Sequence, residues 1–213
     1  MKQKVLIFID WYLPGYKAGG PIQSCANLVA HLGSEHDFYI ITRNTDYCSS
    51  ESYASVESDS WNRQAHASCY YASAKSLSFA KLKRLAKEIR PDIVYINGVY
   101  SYFFSIMPLI IARLISAKKI VVAGRGMFAS SAIGVKPFRK KLFFLIAKLV
   151  QLYRGVYFHA TNEAERKDIH ASIGKKANVI IAPNLPAKAI NSGNARREKA
   201  AGDLRLVSIA RIS

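Results

Sequence analysis

Cysteine and acidic residues are both scarce in this sequence. Its 213 residues include three cysteines, Cys25, Cys48 and Cys69, and no C-x-x-C spacing. An odd number without that spacing argues against a disulfide framework or a zinc site, and it favours a reducing compartment. The chain has 14 Asp and Glu against 31 Lys and Arg, which gives a formal net charge of +17. This excess predicts an anionic partner: a nucleic acid, a membrane surface or a phosphate-bearing substrate.

The chain also lacks a hydrophobic run long enough to cross a membrane. The most apolar stretch, residues 102–115, is short and contains Pro108, so it predicts a buried helix instead. Residues 1–4 lead directly into a strand-like segment without a small-residue cleavage site, and we therefore expect no signal peptide. Half of the residues are hydrophobic, which argues against a disordered protein.

A strand, a glycine-bearing loop and a helix are predicted over residues 4–32. The apolar run 5–9 is typical of a strand buried on both faces, and Gly19 and Gly20 precede Pro21, which suits the first turn of a helix. A helix N-terminus offers free N–H groups, and glycine lets a phosphate approach closely. Gly19 and Gly20 are therefore candidate phosphate-binding residues. A tight turn without a ligand is the equally open alternative.

The rest of the chain alternates between apolar runs and segments with helical spacing. Strands are predicted over 38–42, 67–72, 119–123, 156–160 and 177–182, with a further strand ending at 97, and helices over 78–90, 102–115 and 136–154. Residues 43–65 are predicted to form a long surface loop that faces the substrate. The pattern predicts an α/β domain over 1–183, a linker over 184–203 and, over 204–213, the first strand of a truncated second domain.

Two predicted strands end in residues that suit a ligand. Asn97 and Gly98 end one strand, and Arg125, flanked by Gly124 and Gly126, ends another. In open α/β sheets ligands bind at the carboxyl ends of the strands. Asn97 either contacts a ligand or caps the next helix. Arg125 either contacts an anion or a sugar, or it is a surface arginine in a flexible turn.

For several other polar residues the sequence favours a structural role over a catalytic or metal-binding one. His159 ends the strand 156–160 and could be catalytic, although a histidine there is more often a core residue with a satisfied ring. Thr161 or Asn162 is expected to cap the helix that follows. Glu57 and Asp59 could bind a metal, but no histidine or further aspartate lies near them in the sequence, so we predict no metal site.

The segment 118–154 is strongly basic. It contains nine Lys or Arg and no Asp or Glu. Its predicted helix could lie on an anionic membrane surface. The alternative is that the apolar residues of this helix face the protein core while the lysines lie in water.

Taken together, these motifs resemble the amino-terminal half of the family 4 retaining glycosyltransferases. The resemblance covers essentially the whole chain. It rests on the order of the glycine-bearing loop, RPDIVYING (90–98), GRGM (124–127), KK (140–141), HATNEAE (159–165) and LVSIARIS (206–213). It implies the GT-B arrangement, in which this half is a Rossmann-like, doubly wound, mainly parallel sheet with helices on both faces.

The resemblance also implies roles for particular residues. Gly19 and Gly20 match the loop that closes over the donor diphosphate. Arg125 matches a position in the cleft near the acceptor and the transferred sugar, and Arg211 matches an arginine that neutralises the leaving diphosphate, so both are expected to be catalytic. No metal or other cofactor is needed for this chemistry. On the acceptor side the expected residues are Asn97, Gly98, Tyr100, Gly126 and Met127.

The implied activity is hexosyl transfer from a UDP- or GDP-hexose to a lipid-linked saccharide or polysaccharide acceptor in surface polysaccharide (lipopolysaccharide or capsule) biosynthesis. Such an enzyme is expected in the cytoplasm, peripheral to the inner face of the plasma membrane. The lysine and the two glutamates with which this family grips the donor would lie beyond Ser213, so we expect the chain alone to be inactive. The alternative is a non-catalytic basic module for membranes or nucleic acid. Zinc spacing, an RNP-type motif and a basic recognition helix are all missing, so nucleic acid is not expected as a partner.

Overall fold

The computed structural model describes residues 2–129 and 137–188. Its strands are β1 (Gln3–Ile9), β2 (His36–Arg43), β3 (Trp61–Arg63), β4 (Ala67–Ala72), β5 (Ile93–Asn97), β6 (Lys119–Ala123), β7 (Tyr157–Ala160) and β8 (Asn178–Ile181). Its helices are α1 (Gly20–Leu32), α2 (Phe79–Ile89), α3 (Met107–Leu114), α4 (Pro137–Leu149) and α5 (Glu163–Ile173), and a π-helical segment, Tyr102–Ile106, leads into α3.

Among the described residues, eight strands form one sheet in the order β3-β4-β2-β1-β5-β6-β7-β8. All neighbouring pairs are parallel except β3 with β4, which is antiparallel. The predicted α/β class and mainly parallel sheet are thus confirmed, and the arrangement is consistent with a Rossmann-like fold. Strands β1 to β4 extend the sheet in one direction and β5 to β8 in the other, so the order reverses between β1 and β5.

Each face of the sheet has its own hydrophobic cluster, because successive side chains of a strand point to opposite faces. In β1, Leu6 and Phe8 belong to one cluster, and Val5, Ile7 and Ile9 belong to the other. The second cluster is completed by Cys25 and Val29 of α1. The first is completed by the other four helices, through residues that include Leu82, Leu109, Phe144 and Ile169. The run 5–9 is fully apolar because both of its faces are covered.

Helix α2 shows how local sequence sets the ends of an element. Leu82, Leu85 and Ile89 recur at helical spacing and are buried. The Ser78 hydroxyl caps the helix by accepting a hydrogen bond from the Lys81 N–H at 3.2 Å. Arg90 ends it in the left-handed conformation, with φ of 52°. The observed helix lies within the predicted range 78–90.

The prediction of an unbroken surface loop over 43–65 is wrong, because β3 pairs with β4 at the edge of the sheet. This strand has three residues, too few for a periodic pattern in the sequence. Its position depends on packing: the Trp61 ring meets the rings of Tyr39 and Tyr70 edge to face at 5.8 and 5.4 Å. Such contacts between neighbouring strands stabilise short edge strands.

Two other predictions need adjustment. The helix over 102–115 begins with the π-helical segment and becomes α-helical at Met107. The helix predicted to reach residue 154 ends at Leu149, and a turn follows it. Most of the predicted linker 184–203 and the whole predicted strand 204–213, including Arg211, lie outside the described residues. No helix in the described ranges has both the length and the apolar character that a membrane span requires.

Candidate functional site

A pocket of about 350 Å³ opens at the carboxyl ends of β1 and β5. The strand order reverses at these two strands, which is where open α/β sheets bind ligands. Aromatic, charged and amide side chains meet there. The pocket is lined by Ile9, Asp10, Trp11, Lys17, Ala18, Pro21, Tyr47, Asn97 and Met127. Of the predicted site residues, Asn97 and Met127 contribute directly to this lining.

Arg125 is held beside this pocket by three side chains. Its Nε donates to the Asn97 Oδ1 at 3.1 Å, and its two terminal nitrogens donate to the Tyr95 hydroxyl at 3.0 Å and to the Asn184 Oδ1 at 2.6 Å. An arginine has five N–H donors, so two remain available for a ligand. The Arg125 side chain is thus hydrogen-bonded to three neighbours, and two of its N–H donors remain free of them.

The partners of Arg125 leave its positive charge uncompensated by a direct ion pair. Asn97, Tyr95 and Asn184 are neutral acceptors, and among the described residues no carboxylate lies within ion-pairing distance of the guanidinium. Since a guanidinium stays protonated, the loop after β6 presents a fixed cation at the edge of the pocket. This arrangement can bind a phosphate or another anion.

Asn97 connects three segments of the site. Its Oδ1 accepts from Arg125, and its Nδ2 donates to the Pro21 carbonyl in the first turn of α1 at 3.5 Å. The alternative that Asn97 caps the next helix is wrong, because the Ser101 hydroxyl does so by accepting from the Phe104 N–H at 3.3 Å. Asn97 is buried and therefore fixes the distance between the α1 N-terminus and Arg125.

Tyr95 and His159 continue the hydrogen-bond network of Arg125. The Tyr95 hydroxyl accepts a hydrogen bond from Arg125, because a guanidinium can only donate. The hydroxyl proton of Tyr95 is therefore donated to the His159 Nδ1 at 2.7 Å. The His159 Nε2 must then carry the ring proton, which it donates to the Ala182 carbonyl at 2.8 Å. Burial and the Arg125 charge lower the pKa of His159, and the hydrogen bond to Ala182, which by itself would raise it, does not outweigh them. The geometry agrees with the structural interpretation of His159, whose ring is satisfied and neutral.

Glu165 holds the other side of the Arg125 loop, and its role was not predicted from the sequence. One carboxylate oxygen accepts from the Gly126 N–H at 2.9 Å, and the other accepts from the N–H and hydroxyl of Thr161 at 2.7 and 2.8 Å. Burial by itself would raise the pKa of Glu165, but these hydrogen bonds and the charge of Arg125 lower it. The Asn162 side chain caps α5, as one of the two expected alternatives.

The remaining predicted acceptor residues lie in the two loops that Arg125 joins. Gly98 has φ of 127° and Gly126 has φ of 77°, a conformation that favours glycine at both positions. The Tyr100 hydroxyl donates to the Met127 carbonyl at 3.1 Å, and the Gly98 N–H donates to the Ala123 carbonyl at 3.0 Å. Together with Asn97, the predicted acceptor residues Gly98, Tyr100, Gly126 and Met127 thus lie at one edge of the sheet.

Gly19 and Gly20 lie at the N-terminus of α1, beside the same pocket. Gly19 has φ of 71°, whereas Gly20 is exposed and a Cβ there would meet nothing within 4 Å. Ile22 donates its N–H to the Gly19 carbonyl, and Pro21 has no N–H, so this helix end offers fewer donors than usual. The open space at Gly20 leaves this helix end accessible to a ligand.

Asp46 orders the loop that carries these glycines. Its carboxylate accepts from the backbone N–H groups of Tyr16, Lys17 and Tyr47 at 3.1, 3.3 and 2.7 Å. Burial alone would raise the pKa of Asp46, but the three N–H groups and the Lys17 charge have the larger effect, and the pKa is lowered. The segment 43–65 therefore reaches the site through Asp46 and through Tyr47, which lines the pocket.

Asp10 is a second site residue that was not predicted from the sequence. It follows β1 and places its carboxylate in the pocket, where one oxygen accepts from the Ser101 hydroxyl at 2.8 Å and from Arg43 at 3.3 Å. Burial raises its pKa, and the bonds from Ser101 and Arg43 only partly oppose that effect. Because the apolar run of β1 ends at this residue, its position at the strand end was a usable signal.

One of the two carboxylates considered for metal binding, that of Asp59, is hydrogen-bonded within the protein. Asp59 accepts hydrogen bonds from the N–H of Ser73, at 2.9 Å, and from the hydroxyl of Ser76. Within the described ranges, no group of three or more His, Cys, Asp or Glu is placed to hold a metal ion. Asp59 serves to shape the turn after β4.

Comparison with known proteins gives no family assignment. The chain matches no protein-family model and no curated protein. The function must therefore be argued from the geometry of the site and from the resemblance in motif order.

Proposed function

We propose that this chain is the acceptor-side domain of a retaining hexosyltransferase of family 4, with the doubly wound, Rossmann-like architecture of the amino-terminal half of a GT-B enzyme. The donor would be a UDP- or GDP-hexose. The acceptor would be a lipid-linked saccharide or a growing polysaccharide, which places the reaction at the inner face of the plasma membrane.

The observation that carries this proposal is the position of Arg125, a cation that has no ion-pair partner among residues 2–129 and 137–188. Nucleotide-sugar transfer separates a diphosphate leaving group, and a positioned cation that needs no rearrangement stabilises the developing negative charge. Arg125 meets this requirement because Asn97 and Tyr95, both neutral, orient its guanidinium. The second expected cation, Arg211, lies outside the described residues.

The pocket next to Arg125 suits a saccharide. The rings of Trp11 and Tyr47 meet edge to face at 4.9 Å and give the pocket an aromatic wall. Asp10 supplies an acceptor for sugar hydroxyls, and Asn97 supplies an amide on the same wall. Small-molecule sites typically combine such apolar walls with a few fixed polar groups. These features support an acceptor sugar bound between β1 and the Arg125 loop.

Backbone NMR of the isotopically labelled chain tests this function. UDP-glucose, GDP-mannose and a disaccharide acceptor mimic would each be titrated separately, and we expect weak binding with shifts concentrated at residues 10–20, 97–100 and 124–127. Inorganic phosphate serves as the control for simple anion binding. Absence of shifts in these loops with all sugar ligands would contradict the proposal, as would shifts confined to the basic face of α2.

A short RNA oligonucleotide provides the competing test. The basic face of α2 includes Lys83, Arg84 and Lys87, and a nucleic-acid module would use such a charged surface. Strong, salt-dependent RNA binding that displaces the sugar ligands would favour the nucleic-acid alternative and overturn our assignment.

A further inference from the structure

A short segment after β8 runs past the loop that follows β6 and then along α1. It begins at Ala182, whose N–H donates to the Ala160 carbonyl at 2.9 Å and so continues the pairing of β8 with β7 by one residue. We call residues 182–186 the strap. It contains Pro183 and Pro186, and because each proline ring fixes one φ angle, few conformations are open to the strap.

Polar side chains on one face of α1 hold the strap. Gln23, Asn27 and His31 lie four residues apart and therefore form a single stripe along the helix. The Asn27 Nδ2 donates to the Leu185 carbonyl at 2.8 Å. The His31 Nε2 lies 2.9 Å from the Pro186 carbonyl, and because a carbonyl can only accept, this nitrogen carries the ring proton. We call these two hydrogen bonds the α1 anchor.

Asn27 is a buried polar residue in a helix whose other buried residues are apolar. Its Oδ1 accepts from the Gln23 Nε2 at 2.9 Å, so both ends of the amide have a partner. A buried amide without such partners would destabilise the fold. The hydrogen bond to the Leu185 carbonyl thus accounts for a polar residue at this position, and the site described above makes no use of it.

The strap contacts Arg125 between its two attachments. At the β8 end, the His159 Nε2 donates to the Ala182 carbonyl at 2.8 Å, in addition to the strand pairing. At the other end, the α1 anchor holds it. The Asn184 Oδ1 lies between these ends and accepts from a terminal nitrogen of Arg125 at 2.6 Å. The position of Asn184, and of the nitrogen bonded to it, therefore depends on both attachments.

We propose that the strap regulates the candidate site: its attachment to α1 positions Arg125, and its detachment lowers the affinity of the site for an anion. The pocket lining includes neither Asn27 nor His31, so these are positioning residues that act through Asn184. A side chain that is ordered before binding spares the ligand that ordering cost. The coupling is reciprocal, so an anion at Arg125 stabilises the attached strap by the same factor. This inference rests on the proposed function only in placing an anion at Arg125.

Calorimetry of the full chain with inorganic pyrophosphate tests the proposal. His31→Ala removes one bond of the α1 anchor and should weaken binding about three- to tenfold, the loss expected when a side chain must be ordered on binding. Asn184→Ala removes the contact with Arg125 and should weaken binding at least as much. In the Asn184→Ala background, His31→Ala should cause no further loss, because the anchor acts through Asn184.

The matched control is His66→Ala, which removes an exposed histidine in the turn between β3 and β4 and should leave pyrophosphate binding unchanged. A second measurement needs no ligand: the Nε–H resonance of Arg125 in the free chain should shift in His31→Ala and in Asn184→Ala, and stay in place in His66→Ala. Amide proton spectra verify that each variant keeps the fold.

Four results would overturn the proposal. They are equal losses of affinity in His31→Ala and His66→Ala, additive losses in the double variant, an Arg125 resonance that His31→Ala leaves unchanged, and absence of pyrophosphate binding to the wild type. The proposed hexosyl transfer fails separately. Pyrophosphate binding that depends on the strap, without any response to nucleotide sugars, would contradict that function and leave the regulation by the strap in place.

Discussion

Arg125 donates from Nε to the side-chain carbonyl of Asn97 at 3.1 Å, and this bond joins the loop after β6 to the end of β5. Asn97 in turn reaches the first turn of α1 through the Pro21 carbonyl. The three predicted ligand-binding segments of the chain are thus connected through one buried amide.

Arg125→Gln should weaken binding of UDP- or GDP-hexose by at least about tenfold, which corresponds to about 1.4 kcal/mol. Arg125→Lys should lose nearly as much, because a lysine ammonium cannot reproduce the planar fork that contacts Asn97, Tyr95 and Asn184 together. Calorimetry of both variants measures the effect. Lys87→Gln carries the same charge change on α2 and serves as the control. Equal affinities in all four proteins would contradict a role for Arg125 in donor binding.

Glu165→Gln should lower the free energy of unfolding by about 1–3 kcal/mol at pH 7, because an amide cannot accept all three hydrogen bonds from Gly126 and Thr161. The pKa of Glu165 is lowered in the folded state, so its contribution is present above its unfolded pKa, near 4.5, and is lost as the pH falls through the folded value. Urea unfolding at pH 7 and at pH 3 measures this. A difference between wild type and variant that does not shrink at acidic pH would contradict the assignment.

Glu165, a buried carboxylate, shows the limit of what the sequence could predict. The helix cap at Thr161 or Asn162 could be predicted, because a cap depends on residues close together in the sequence. The bond from Gly126 to Glu165 spans 39 positions, and only the folded sheet brings β6 next to β7. Local patterns therefore predicted the helix end and left out its contact with the Arg125 loop.

The same distinction separates the well-predicted strands from β3. The central strands are marked by apolar runs such as 5–9, because burial on both faces requires apolar residues throughout. The position of β3 depends on Trp61 packing against Tyr70 across the sheet, and no local periodicity encodes that contact. The pocket contains residues of both kinds. Asn97 could be predicted because it lies at a strand end, whereas Tyr47 could not, because its position depends on the loop that Asp46 orders.

His159 should be neutral at pH 7, with its proton on Nε2. Its pKa is lowered in the folded state by burial and by the Arg125 charge, so the stability associated with the neutral ring is present above its unfolded pKa, near 6.5, and is lost as the pH falls. Long-range nitrogen–proton NMR correlations of the ring distinguish this tautomer from the imidazolium. In Tyr95→Phe the bond to Nδ1 is lost while that to Ala182 stays, so the Nδ1 shift alone should change. An imidazolium pattern at pH 7 would contradict the derived network.

Asp10→Asn should show the opposite pH dependence from Glu165→Gln. Burial raises the pKa of Asp10 above its ordinary value, so the folded state favours the protonated form. The resulting stability is present below the unfolded pKa and is lost as the pH rises through the folded value. The asparagine carries no charge at any pH, and the wild type should therefore lose stability relative to Asp10→Asn between about pH 4 and pH 7. Ser101→Ala is the informative control, because it removes a hydrogen bond that favours the charged carboxylate, and the wild-type trend should become steeper in it. Urea unfolding of the three proteins across this range decides the matter: a wild type that gains stability relative to Asp10→Asn as the pH rises would show that the bonds from Ser101 and Arg43 outweigh burial, and that the pocket holds a permanently ionised carboxylate.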